Sequence, residues 1–140
     1  MWCSALQRWA QVNRVLLVFA LVASIGGCGR GTVQPSVTVE FNLPESRRTE
    51  LVQFMTEFAN SVNLPVADAS SRLPSISPTD LLVVAGSSVR DVQIVLLIDP
   101  SSQKYVAFLY ASADADRSRR IETYFVSAAK AKFQDLVTVK

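Results

Sequence analysis

Between Arg14 and Arg30 the chain carries no charged side chain, and within that interval Val15 to Ala23 is an unbroken run of Val, Leu, Phe and Ala. This run divides the chain. It is too apolar to belong to a loop, yet the uncharged stretch from Val15 to Gly29 falls short of the roughly 20 apolar residues a helix needs to span a bilayer. Arg8 and Arg14 are the only charges before it, and Ser24-Ile25-Gly26-Gly27 after it is a run of mostly small residues. A basic start, a short apolar centre and a small-residue end are the parts of a secretory signal peptide, so residues 1–27 are excluded from the fold proper. The 140-residue chain then leaves 113 residues carrying 12 basic and 12 acidic side chains, enough for one domain. The net charge of +2 belongs to the leading segment. A neutral domain gives no electrostatic reason to expect nucleic acid as a partner.

The residue behind the small run is Cys28. Ile25-Gly26-Gly27-Cys28 resembles the lipobox of bacterial lipoproteins, with Ile25 where leucine is usual and a long basic segment ahead of the apolar run. The resemblance covers the targeting segment alone. It implies cleavage between Gly27 and Cys28, acylation of Cys28 with palmitate-type chains, and a periplasm-facing domain held on the cell membrane or outer membrane of a Gram-negative bacterium. Gly29 stands where an Asp would favour inner-membrane retention in enteric bacteria, which inclines the expectation towards the outer membrane. Several acyl chains anchor stably where one is marginal. Once the signal is removed Cys28 is the only cysteine, so neither an internal disulfide nor a thiolate metal cluster can form. Residues 28–35 contain two glycines and a proline and read as a lipidated tether, followed by a single domain over 36–140.

In that domain Val37, Val39, Phe41 and Leu43 alternate with polar residues, the pattern of a strand with one buried face. Leu51, Phe54, Met55, Phe58 and Val62 follow at helical spacing, and Asn63-Leu64-Pro65 supplies a left-handed cap, an apolar contact and a stop. Pro65 to Asp80 reads as a loop, long for a compact domain. Ser77-Pro78-Thr79-Asp80 has the spacing of a capping box, whereas Leu82-Val83-Val84 is β-rich, so an extra short element within 78–88 is expected as either helix or strand. Val92 to Ile98 and Tyr105 to Ala111 predict a hairpin. Ala113 to Lys132 predicts a helix capped by Asp114 or Asp116, with an apolar stripe of Ile121, Tyr124, Phe125, Ala128 and Ala131, and Leu136 to Val139 a last strand. The expected fold class is α+β: a small ferredoxin-like βαββαβ sandwich with two helices on one face of a mainly antiparallel sheet.

No histidine occurs in the chain, which removes the commonest general base and metal ligand. Gly86-Ser87-Ser88 lacks the second glycine of a nucleophile elbow and reads as a turn, and Asp114 with Asp116 reads as helix capping. Gly29, Gly31 and Gly86 are the only glycines after the cleavage position and build no phosphate loop. The expectation is therefore a non-enzyme with no catalytic residues, no metal and no cofactor.

Two features point to binding. Ser46-Arg47-Arg48-Thr49-Glu50 is echoed by Ser118-Arg119-Arg120-Ile121-Glu122 near the starts of the two helices. Both helices of the βαββαβ fold are expected to start from the same end of the sheet, which would gather Arg47, Arg48, Arg117, Arg119 and Arg120 there as an anion-binding edge; the plainer reading is a solvated helix end with local Arg–Glu pairs. The second feature is the hairpin, apolar on both faces. Val95, Leu97, Phe108 and Tyr110 fall on the face two helices on one side would leave uncovered. Segment 65–85, a second copy of the chain or an envelope protein are the candidate covers. The functional expectation is a lipid-anchored envelope module for binding or assembly; the alternative is a periplasmic anion or small-molecule binding domain using the arginine edge.

Overall fold

The computed structural model describes residues 34–70, 81–86, 91–99 and 101–140. Residues 1–33, with Gly27, Cys28 and most of the expected tether, lie outside the described residues. Gln34–Lys140 form one unit and Met1–Val33 another.

Strand β1 (Val37–Phe41) leads through a 3-10 turn (Glu45–Arg47) into helix α1 (Arg48–Ser61). The helix buries Leu51, Phe54, Met55, Phe58 and Ala59. Its end is a Schellman motif: Asn63 takes φ 57°, its N–H donates to the Asn60 carbonyl at 3.2 Å, and the Leu64 N–H donates to the Ala59 carbonyl at 2.8 Å. Leu64 then packs into the core at 2% exposure. The sequence pattern therefore located the cap correctly, because capping is decided by adjacent residues.

The segment expected to be loop, Pro65 to Asp80, contains strand β2 (Val66–Asp68), which pairs antiparallel with β3 (Leu82–Ala85), Val66 lying opposite Ala85. The extra element over 78–88 is thus a strand in its described part. The β4 (Gln93–Ile98) and β5 (Tyr105–Tyr110) hairpin is as expected, and helix α2 (Ala115–Phe133) follows, then a 3-10 turn (Gln134–Leu136) and β6 (Val137–Val139). The Asp114 side chain caps α2 by accepting from the Arg117 N–H at 2.9 Å. On α2 the buried stripe is Ser118, Ile121, Phe125, Ala129 and Phe133. Tyr124, expected within it, is half exposed, because the stripe lies closer to the 118–125–129 row.

The class is α+β: the described residues form two α-helices and one six-stranded sheet in the order β2-β3-β4-β5-β1-β6, every neighbouring pair antiparallel. The subset β4-β5-β1-β6 is compatible with a ferredoxin-like arrangement, extended by the β2–β3 pair at one edge. The sheet is therefore wider than the four strands expected. A hairpin within the 65–85 segment adds to the free edge of β4 and satisfies its backbone groups there.

Both helices pack on the same face. Val39, Phe41, Val83, Ala85, Ile94, Leu96, Tyr105, Ala107 and Leu109 supply the sheet side of the core. Phe54 is its hub, with ring centroids 6.5 Å from Phe41, 6.3 Å from Phe58, 5.6 Å from Phe125 and 5.4 Å from Phe133. Residues of α1, α2 and β1 thus meet in one aromatic layer.

Candidate interaction surfaces

The arginines fall into two groups at opposite ends of the sheet. Strands β1 and β5 pair with Phe41 opposite Tyr105 and Val37 opposite Leu109. Helix α1 leaves from the Phe41 end and α2 from the Tyr110 end, so the helices start at opposite ends. The expectation that all five arginines share an edge is corrected by this antiparallel pairing: Arg47 and Arg48 lie at one end, Arg117, Arg119 and Arg120 at the other. Arg47 lies 5.4 Å from the centroid of Phe133, near the finish of α2.

Each group has its own partners. Arg47 donates through Nε and a terminal nitrogen to the two carboxylate oxygens of Glu50, at 2.7 and 3.0 Å. These bonds hold Glu50 below and Arg47 above their ordinary pKa values. This is the local i,i+3 pair of the plainer reading. Arg117 donates to Asp91 at 2.9 and 3.2 Å, a contact across 26 positions that tethers the start of α2 to the approach to β4. The Arg117 hydrogen bonds and, secondarily, the Val92 N–H hold the Asp91 carboxyl below its usual range, against the opposing effect of burial. Sequence reasoning missed Asp91, because only strand pairing brings it beside Arg117. Arg119 and Arg120 are exposed, and their side chains form no ion pair or hydrogen bond among the described residues.

The hairpin residues do come together. The register puts Val95 opposite Phe108, Leu97 opposite Val106 and Gln93 opposite Tyr110, with Val84 and Leu82 alongside on β3. All point away from the helix-side core. Val95 and Tyr110 are buried, Leu97 and Phe108 half-buried. Segment 65–85 was one expected cover for this face. Its described strands, β2 and β3, instead lie in the plane of the sheet and widen the face; residues 71–80 lie outside the described residues. The face is polar at its margins: Thr38 and Glu40 on β1, and Gln93 beside Tyr110. Gln93 is buried at 7% exposure, and burial pushes the Tyr110 hydroxyl pKa up. Nothing in the sequence singled out Gln93, which reads as the polar start of a strand.

Among the described residues no group of three or more His, Cys, Asp or Glu side chains is placed to hold a metal ion. Among them, too, no helix is long and apolar enough to cross a membrane. No family model matches the chain, and comparisons with curated proteins and with solved structures return no match.

Proposed function

We propose that the protein is a cell-envelope lipoprotein, anchored through acylated Cys28, whose α+β domain is a non-catalytic module for binding or assembly in the periplasm. The observation that carries the anchor is Ile25-Gly26-Gly27-Cys28 set directly behind a basic segment and a short apolar run. The module is assigned a binding role because its sheet is apolar on both faces. Helices α1 and α2 use one face for the core; on the other, Val95 and Tyr110 are already buried within the chain, and Leu97 and Phe108, half-buried, are the side chains that remain for a partner. An envelope protein or a second copy of the chain is the partner such a face suits, since apolar strand residues gain most from contact with another apolar surface. Catalysis is given no part: the chain has no histidine, and no nucleophile is placed beside a base by its sequence.

The test is the intact mass of the protein extracted from membranes with detergent. A mass that begins at Cys28 and carries acyl chains supports the anchor, and Cys28→Ala then abolishes both processing and palmitate incorporation. An unmodified mass beginning at Met1 refutes it. Crosslinking from Phe108 and Leu97 positions then identifies the partner, and loss of the crosslink on Phe108→Asp, with the fold intact by circular dichroism, ties it to this face.

A further inference from the structure

We infer that the open edge of β6, with the groove beside it at the end of α2, is a contact between two copies of this chain related by a two-fold axis. The inference depends neither on the lipid anchor nor on the outer face of the sheet. Thr38 and Lys140 exchange backbone bonds: the Thr38 N–H donates to the Lys140 carbonyl at 3.2 Å and the Lys140 N–H to the Thr38 carbonyl at 2.8 Å. In an antiparallel ladder the neighbouring residue turns its backbone groups the other way, so the N–H and carbonyl of Val139 point outward from the sheet. Among the described residues no backbone bond meets them. Thr138, Val139 and Lys140 are all exposed, which leaves this edge open. Native sheets guard such an edge with proline or with a charge. The opposite edge strand, β2, starts behind Pro65 and ends on Asp68. On β6 the available charge, Lys140, is drawn to Glu40 on the neighbouring strand.

The surface beside this edge is complementary to itself. Val137 and Val139 lie opposite Phe41 and Val39 and so face the helix side. Val139 is 37% exposed, one of two large apolar side chains left exposed among the described residues. Between β6 and the last turn of α2 runs an open groove of about 530 Å³, lined by Lys130, Gln134, Asp135 and Val137. The groove holds one cation and one anion, and neither has an ion pair or hydrogen bond among the described residues. A two-fold contact sets residue i against j and j against i, so each Lys130 meets Asp135 of the second copy and both charges are matched. A partner surface of one sign would leave one of the two unmatched. Gln134 adds to the fit. It keeps φ 51°, ψ −126°, a conformation costly to any residue with a Cβ, and its amide both donates and accepts, so it can pair with its own copy. A two-fold axis at a sheet edge also makes the two edge strands antiparallel, the pairing already used throughout this sheet.

The experiment is sedimentation equilibrium of the full chain, extracted from membranes into a density-matched detergent, over a range of protein concentrations. A monomer–dimer equilibrium is expected. Lys130→Asp and Asp135→Lys each turn two attractive pairs into repulsive ones and should each weaken the dimer about tenfold, the scale of two exposed ion pairs. Both positions are exposed, so neither substitution disturbs the core. The double variant Lys130→Asp/Asp135→Lys rebuilds both pairs with their signs exchanged and should return to within about threefold of wild type. A monomer at every concentration overturns the inference. A dimer that neither single reversal weakens overturns it as well, and so does a double variant no tighter than the singles, because the two charges then do not face each other. A dimer weakened by Phe108→Asp but not by the charge reversals places the contact on the outer sheet face instead; that result overturns the edge contact while supporting the binding face proposed above.

Discussion

Replacing Phe54 by Ala tests whether the helix layer is held to the sheet chiefly by its aromatic hub. The Phe54 side chain is 5% exposed and its ring meets four others, from α1, α2 and β1, at centroid separations of 5.4 to 6.5 Å. Removing a buried ring of this kind costs about 3–5 kcal/mol, combining lost transfer energy with the cavity left behind. The upper part of that range applies here. Phe41 on β1 and Phe125 and Phe133 on α2 are each fully or almost fully buried, so no one of them can collapse into the space without moving a helix or strand. A domain of this size has about 5–15 kcal/mol in total, so the loss is a large share of its stability. The assay is guanidinium unfolding of the purified protein followed by far-ultraviolet circular dichroism. The paired control is Tyr124→Ala, a half-exposed ring on the same helix pair that contacts Phe58 at 5.1 Å; it should cost less than about 1.5 kcal/mol, the range for a single aromatic contact. Should Phe54→Ala leave too little folded protein to titrate, Phe54→Leu keeps most of the volume and should unfold measurably earlier than wild type. A cost for Phe54→Ala below about 1.5 kcal/mol, or no greater than for Tyr124→Ala, would refute the argument that these rings join the layers.

Three further outcomes follow from backbone geometry and charge. Gly86 takes φ 91°, and a Cβ there would lie 2.3 Å from the Val92 carbonyl oxygen, so Gly86→Ala should destabilise by more than about 2 kcal/mol in the same unfolding assay; a neutral result would show that the turn between β3 and β4 relaxes freely. Gln134 closes α2 at φ 51°, ψ −126°, a conformation glycine adopts without strain, so Gln134→Gly should raise the unfolding midpoint by the equivalent of about 1 kcal/mol. A lowered midpoint would mean that the side chain contributes more than the backbone costs. The depressed Asp91 pKa gives stability that is fully present above the unfolded carboxylate value, about 3.9, and is lost as pH falls through the lower folded value. Asp91→Asn should therefore lower stability at neutral pH and flatten its fall on acidification; an unchanged acid limb would place the titrating groups elsewhere.

Local chemistry was legible in the chain before any tertiary structure. The Asn63–Leu64 helix end, the α1 stripe from Leu51 to Phe58 and the β4–β5 hairpin each depend on residues within a few positions of one another, and each was located from spacing alone; spacing narrowed the α2 cap to Asp114 or Asp116, and the structure shows Asp114. The Arg47–Glu50 pair belongs with them, since i,i+3 proximity follows from the helix itself. The apolar character of both hairpin faces was also plain, because a strand's side chains alternate whatever it pairs with.

Tertiary structure decided what lies beside what. The short β2 strand in a segment rich in proline and serine exists because β3 offers it a ladder, and its own residues carry no strand pattern. The exposure of Tyr124 depends on how α2 is rotated over the sheet, which turns on the partners of Phe125 and Phe133. The separation of the arginines depends on β1 and β5 running antiparallel, and the Arg117–Asp91 pair on β4 reaching the start of α2. Helix periodicity and capping act over a single turn and can be read along the chain. Strand order and direction are set by contacts between residues tens of positions apart, whose energies belong to the assembled sheet and core.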